Sequence, residues 1–137
     1  MNKMAQLGQR GFTLLEVLVV VAVLGTLATV AVPRFTGAIA RANTAKIQTD
    51  LQTLDTAVAM YMAEHGSQPG AYSELKPYVT DFDSLKPPTG DCIIEGQVIA
   101  VPASEYSLVA DAEDSSMKRA ACGSYTVIKF GGKTSGQ

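Results

Sequence analysis

The longest feature of the hydrophobicity pattern is an apolar run over residues 12–32, in which Glu16 is the only charged residue. At a rise of 1.5 Å per residue, a helix of these 21 residues is about 31 Å long. That length is enough to cross the hydrocarbon core of a bilayer. Pro33 ends the run. The pattern therefore predicts a membrane-spanning helix over residues 12–33.

Beyond Pro33 the pattern changes to that of an amphipathic helix. Five apolar residues recur at spacings of four, three, four and three: Ile47, Leu51, Leu54, Val58 and Tyr61. Four charged residues fall on or beside the opposite face: Lys46, Asp50, Asp55 and Glu64. Gly66 and Pro69 are typical of a helix end. We expect a helix from about residue 35 to 64, with its apolar face on the chain's own sheet.

The remaining half of the chain has the signals of loops and short strands. The proline-rich segment 67–90 is predicted to be a loop, with one short helical piece near 72–78. Four segments have strand character: 92–94, 97–101, 106–110 and 124–130. Glu95 and Gly96 predict a tight hairpin between the first two. We expect a polar surface loop at 111–116 and a mobile tail at 131–137.

These elements together predict an α+β fold, in which a long N-terminal helix packs on a small antiparallel β-sheet. A weak point lies between Gly25 and Pro33, because glycine costs about 1 kcal/mol relative to alanine in a helix interior. The proline removes a backbone donor, and its ring clashes with the carbonyl of Thr29. We therefore expect a kink or local unwinding there.

Composition excludes several classes of function. The chain has 137 residues, a formal charge of −2 and a pI near 5.3. No basic stripe is available for phosphates, so duplex nucleic acid is not an expected partner. With one histidine and no motif of a nucleophile, a phosphate loop or a metal site, we expect no enzyme.

Calcium is the only cofactor for which the sequence offers ligands. Two acidic groups have suitable residue types: Asp81, Asp83 and Asp91, and Asp111, Glu113 and Asp114. The EF-hand pattern is missing, and alternating acids of this kind usually form a solvated loop. We expect no other cofactor.

Cys92 and Cys122 are the two cysteines of the chain. In an exported domain they are expected to form a disulfide, which would stabilise the fold by about 3–4 kcal/mol through loop closure. Two reduced, buried cysteines are the alternative.

The N-terminal run has three interpretations from residue pattern alone. It is a secretory signal peptide with a cleavage site at Ala38-Ile39-Ala40, a membrane anchor, or a more specialised export signal. The run is longer than the apolar core of a signal peptide, and basic residues on both sides leave its orientation open. A carboxylate such as Glu16 is retained in a membrane helix for a partner or a task, or else it snorkels to the interface.

The string Gly11-Phe12-Thr13-Leu14-Leu15-Glu16, preceded by the basic residues Lys3 and Arg10, resembles the export signal of type IV pilins and pseudopilins. The resemblance implies that a membrane prepilin peptidase cuts between Gly11 and Phe12 and methylates the new terminus at Phe12. Residues 1–11 would then be a removed leader, 12–33 the filament-core helix, and 34–137 the amphipathic helix plus a globular β domain. Glu16 would be the fifth residue of the mature chain.

Cleavage gives the Glu16 carboxylate a partner. It creates an ammonium at Phe12, about one helical turn away, and the two ions offset each other's desolvation when they pair. A subunit that places its amine against Glu16 of a neighbour is fixed in axial register, because any other stagger leaves both ions unpaired. We therefore expect Glu16 to set subunit register.

By this resemblance, the chain is a structural subunit of a type IV pilus. It would enter the cytoplasmic membrane, use an inner-membrane assembly platform and polymerise into a surface filament for adhesion, twitching motility or DNA uptake. The resemblance also implies that the stretch from Gly25 to Pro33 unwinds in the filament, and that Cys92 and Cys122 are bonded.

Alternatives to the pilin interpretation remain open. A pseudopilin of a type II secretion or DNA-uptake system shares the same signal, although the absence of tryptophan and the cysteine pair favour a pilin. A single-span membrane-anchored binding domain leaves the junction and Glu16 without a role, and a secreted enzyme lacks a recognisable active site.

Overall fold

The computed structural model describes residues 11–132, apart from the side chains of residues 33 and 34. The predicted leader, up to residue 10, and the last five residues of the predicted tail lie outside the described residues. The chain divides into two compact units, Met1–Phe35 and Thr36–Gln137.

A single helix, α1 (Leu14–His65), contains both the apolar run and the amphipathic segment. Gly66 ends it in the left-handed conformation (φ 69°) and donates its backbone N–H to the carbonyl of Met62 at 2.8 Å. The predicted helix end is therefore confirmed to within one residue. The helix is continuous from Gly25 to Pro33, so the local unwinding that the two residues suggest is not observed, and unwinding in a filament stays a prediction.

The core of the second unit forms on the predicted apolar face of α1. Ile47, Leu51, Leu54 and Val58 are buried there, and Tyr61 is partly buried. They pack against buried residues from the C-terminal half of the chain: Leu75, Val79, Cys92, Ile94, Tyr106, Ala120, Cys122 and Phe130. This confirms that the helix packs on its own sheet region.

The strands form two small antiparallel sheets. The first is a hairpin of β1 (Asp91–Ile94) and β2 (Gln97–Ala100), with positive φ at both turn residues, Glu95 and Gly96, as the sequence predicts. The second has the order β3–β4–β5, from β3 (Tyr106–Ala110), β4 (Lys118–Cys122) and β5 (Tyr125–Thr126). Three 3₁₀ helices complete the described part of the fold: Tyr72–Tyr78, Phe82–Ser84 and Val127–Lys129.

Two strand predictions need correction. The strand predicted at 124–130 is only the two residues of β5, because the chain turns into the 3₁₀ helix Val127–Lys129. It then reaches the other sheet, where Phe130 bridges Ile94. Strand β4 was not predicted, since its charged and alanine residues have weak strand propensity; pairing with β3 along its whole length holds it in place.

Asp50 and Asp55, which the pattern places on or beside the face opposite the apolar residues, contact the second sheet. Asp50 is 8% exposed, and its Oδ2 accepts hydrogen bonds from Tyr106 Oη at 2.7 Å and Lys46 Nζ at 2.5 Å. Asp55 accepts the backbone N–H of Ala120 in β4 at 2.8 Å. These carboxylates attach the β3–β4 sheet to α1 instead of solvating the helix.

Candidate functional site

The apolar part of α1 has no packing partner within its own unit. Every side chain from residue 14 to 30 is exposed, and Leu14 is 84% exposed. Mean hydropathy reaches 2.5 along this helix. By length and composition, it is the one helix in the described part of the chain that could cross a bilayer. An apolar surface of this size requires lipid or other protein to cover it.

Thr13 and Glu16 form a reciprocal capping box at the start of this helix. Glu16 Oε2 accepts the backbone N–H of Thr13 at 2.9 Å and the Thr13 hydroxyl at 3.1 Å. In return, Thr13 Oγ1 accepts the backbone N–H of Glu16 at 3.2 Å. This arrangement satisfies backbone donors that a helix start would otherwise leave unpaired. It also fixes the side-chain conformation of Glu16.

The second carboxylate oxygen of Glu16 has no hydrogen-bond partner among the described residues. Within residues 11–132, Oε1 makes no hydrogen bond, whereas Oε2 has two. Gly11, Phe12, Thr13 and Glu16 line one open concavity at this end of the helix. The structure thus brings the predicted cleavage junction and the predicted registry residue together, with one carboxylate oxygen free to accept a donor.

Thr13 is the residue of this site whose role we did not predict from the sequence. Its signal was present, since threonine three positions before glutamate at the start of an apolar helix is the pattern of a capping box. We interpreted Glu16 by its charge alone and did not predict its hydrogen bonds with Thr13.

The two cysteines are free thiols, both fully buried in the core of the second unit. The predicted bond between Cys92 and Cys122 is thus not formed in the structure. Burial raises the pKa of both thiols, which keeps them protonated and slow to oxidise. A disulfide in the exported protein stays a prediction.

The acidic residues that we proposed as calcium ligands either bond to nearby residues or do not lie together. Asp111 pairs with Arg119, its Oδ2 lying 2.7 Å from Nε, and Asp114 accepts the backbone N–H and the hydroxyl of Ser116. Asp83 pairs with Lys76. Among residues 11–132, no three acidic, histidine or cysteine side chains are grouped to hold a metal ion. Calcium binding stays a prediction from residue types alone.

Comparison with known proteins places these features in a family. A family profile described as "Prokaryotic N-terminal methylation motif" matches residues 7–32. Type II secretion system core protein G of Escherichia coli K12 is 33% identical over 109 residues, which cover 77% of this chain and 74% of that protein. The chain belongs to the type IV pilin and pseudopilin family.

Other members of the family show how far the similarity extends. Core protein G of Pectobacterium carotovorum is 34% identical over 72% of this chain, and the match spans 62% of that protein's length. The type IV major pilin protein PilA of Myxococcus xanthus is 42% identical over 55 residues, 40% of this chain and 25% of its own. No solved structure matches the chain significantly. The family is one of structural pilins and pseudopilins.

Proposed function

We propose that this chain is a structural subunit that polymerises with copies of itself through its N-terminal helix. The observation that carries the proposal is the exposed apolar surface of residues 14–30, in which Glu16 is the only charge. Lipid covers this surface before assembly, and the helices of other copies cover it afterwards. Membership of the family supports self-association of this kind.

Maturation precedes polymerisation. A prepilin peptidase cuts between Gly11 and Phe12 and methylates the amine of Phe12. The new ammonium of one copy then pairs with Glu16 of a neighbour. The free Oε1 atom supports this step, because Glu16 can accept an ammonium there while Oε2 keeps the capping box with Thr13. A copy at the wrong axial stagger leaves both ions unpaired in an apolar surrounding.

Replacing Glu16 by alanine tests the proposal. We expect Glu16→Ala to insert into the membrane and to lose its leader normally, because neither step needs the carboxylate. Filament assembly should be abolished or slowed, because the Phe12 ammonium then has no counterion. Immunoblots of membrane and sheared-filament fractions measure both steps. Normal filaments from this variant would overturn the pairing of Glu16 with the Phe12 ammonium, whereas the absence of filaments from the wild-type chain would overturn polymerisation itself.

Two filament systems are candidates, and different observations favour each. The core protein G relatives cover most of the chain at 33–34% identity, which favours a pseudopilin of a type II secretion system. PilA matches only 40% of the chain, but the cysteine pair and the absence of tryptophan favour a pilus subunit. The broader coverage leads us to place the pseudopilin first.

A deletion strain distinguishes the two systems. For a pseudopilin, we expect a strain without this chain to retain folded exoproteins in the periplasm and to keep its surface pili. For a pilin, we expect the surface pili to be lost and secretion to continue. The choice between the two systems also decides where the filament lies. The precursor is in the cytoplasmic membrane in both cases, and the filament is periplasmic for a pseudopilin and on the cell surface for a pilin.

A further inference from the structure

The segment 111–117, which we call the acidic loop, joins strands β3 and β4 and contains three acids and no basic residue. Its own backbone closes it. The N–H of Asp111 donates to the carbonyl of Met117 at 2.8 Å, and the N–H of Met117 donates to the carbonyl of Asp114 at 2.9 Å. The loop is therefore a folded turn with a defined structure.

Two of the three carboxylates accept hydrogen bonds within the acidic loop. Oδ1 of Asp111 accepts the backbone N–H of Glu113 at 2.8 Å. Oδ1 of Asp114 accepts the backbone N–H of Ser116 at 2.9 Å and its hydroxyl at 2.6 Å. The bonds from Ser116 lower the pKa of Asp114, which keeps this carboxyl ionised. Because carboxylates this close in the chain repel each other, a positive charge beside them stabilises the loop.

Arg119, the second residue of β4, supplies a positive charge to the acidic loop. Its Nε lies 2.7 Å from Oδ2 of Asp111, the oxygen that does not bond to Glu113. The Asp111 side chain is only 19% exposed, and that of Arg119 is 41% exposed. A charge-assisted bond to a carboxylate that is mostly removed from water is stronger than an exposed surface pair.

The same guanidinium acts on a second carboxylate, that of Asp55 in α1. Asp55 is half-buried and accepts the backbone N–H of Ala120, the residue after Arg119, at 2.8 Å. Burial raises the pKa of Asp55, the Ala120 bond and the charge of Arg119 lower it, and the charge of Asp111 raises it. One cation thus lies close to two carboxylates that come from different elements of the fold.

The neighbouring basic residue, Lys118, has other partners. Its Nζ donates to the carbonyls of Pro69 at 2.9 Å and Gly70 at 3.0 Å. Among the side chains that the structure describes, Arg119 is the cation that serves both Asp111 and Asp55.

The donors already bonded to the acidic loop compete with a metal ion for its oxygens. Calcium takes about six to eight oxygen ligands. Both carboxylate oxygens of Asp111 and one of Asp114 already accept donors. The charge of Arg119 would also repel a second cation at this position.

We propose that Arg119 is the built-in cation of the acidic loop and takes the place of calcium as the counterion of its carboxylates. Arg119 is a positioning residue, because it holds the loop on β4 and, through Asp55, on α1. The inference goes beyond polymerisation, since it concerns the second unit of a single copy.

Hydrogen exchange of the loop amides tests this role. Exchange is measured by mass spectrometry on the full chain in detergent micelles, with excess Ca²⁺ or with EDTA. We expect peptides covering residues 111–117 to exchange equally in both conditions for the wild type. In Arg119→Gln they should exchange about tenfold faster, the factor for one lost hydrogen bond to a charged group. Peptides from the hairpin 91–100 should be unchanged, which shows that the variant is folded.

Two further variants separate charge from packing. Arg119→Lys should recover part of the protection, because it keeps the positive charge. Lys129→Gln is the matched control, since it removes the cation of the exposed pair with Glu95 and should leave the acidic loop unchanged. We also expect excess Ca²⁺ to restore part of the protection in Arg119→Gln, where the carboxylates have lost their counterion.

Three results would overturn the proposal. The first is faster exchange of the wild-type loop in EDTA than in Ca²⁺. The second is a loop in Arg119→Gln that exchanges like the wild type. The third is an Arg119→Gln loop that neither lysine nor Ca²⁺ restores, which would show that Arg119 acts by packing. The test uses no filament, so its failure leaves the proposed function standing.

Discussion

Replacing Tyr106 by phenylalanine tests the hydrogen bond that joins strand β3 to helix α1. Tyr106 is 4% exposed and donates its hydroxyl to Asp50 Oδ2 at 2.7 Å. Burial and the Asp50 carboxylate both raise the pKa of Tyr106, so its hydroxyl remains a donor at neutral pH. Lys46 donates to the same carboxylate oxygen at 2.5 Å. Asp50 thus has two donors, one buried and one half-exposed.

The expected loss of stability follows from these contacts. A hydrogen bond to a charged group contributes about 1.5–3 kcal/mol, and since Asp50 keeps Lys46, we expect Tyr106→Phe to cost about 2 kcal/mol. Asp50→Ala should cost about 3 kcal/mol, because it leaves the buried Tyr106 hydroxyl without an acceptor. The double variant has no such hydroxyl left, so its loss should fall short of the sum by about 1.5 kcal/mol.

Urea unfolding of the full chain in detergent micelles, followed by pulse proteolysis, measures these free energies. Tyr125→Phe is the matched control. Its ring is partly buried against Phe130, and its hydroxyl makes no hydrogen bond within residues 11–132. We expect the control to change stability by less than about 0.5 kcal/mol. Additive losses in the double variant, or equal losses in Tyr106→Phe and the control, would refute the reasoning.

Three further predictions concern the site and the core. Glu16→Gln keeps an oxygen for the capping box but has no charge, whereas Thr13→Val keeps the charge of Glu16 and loses the cap. We expect Glu16→Gln to enter wild-type filaments less often than Thr13→Val, as measured by quantitative mass spectrometry of mixed filaments. The reverse order would contradict this prediction. Burial raises the pKa of Asp55 despite its bond to a backbone N–H. The wild-type chain should therefore lose stability relative to Asp55→Asn as the pH rises from about 3 to about 7, the range in which a carboxyl group titrates. A constant difference in unfolding free energy over this range would show that burial does not destabilise the Asp55 carboxylate. If Cys92 and Cys122 bond after export, the exported chain should resist alkylation until it is unfolded and reduced, whereas alkylation on unfolding alone would show that they stay free thiols.

The parts of the fold that the sequence predicts are those set by local patterns. The apolar spacing of Ile47, Leu51, Leu54 and Val58 fixes which face of α1 is buried, because a helix presents residues three and four apart on one side. The Glu95–Gly96 turn and its two strands are equally local, since the turn residues determine the pairing. The short helical segment at 72–78 is confirmed as well.

The parts that it does not predict depend on distant partners. Strand β4 exists because β3 pairs with it, and Asp50 is buried and Asp55 half-buried because Tyr106 and Ala120 offer them donors from 56 and 65 residues away. No periodicity of α1 encodes those partners. The position of Arg119 close to both Asp111 and Asp55 likewise becomes visible only when α1, β4 and the acidic loop are in place.

The central claim is that copies of this chain polymerise through an N-terminal helix that begins at Phe12 after cleavage. Mass spectrometry of the chain recovered from purified filaments measures that terminus directly. The account predicts a chain that begins with N-methylated Phe12 and retains Glu16 as its fifth residue. A filament-associated chain that still begins at Met1, or that begins near Arg41 after cleavage at Ala38-Ile39-Ala40, would contradict it.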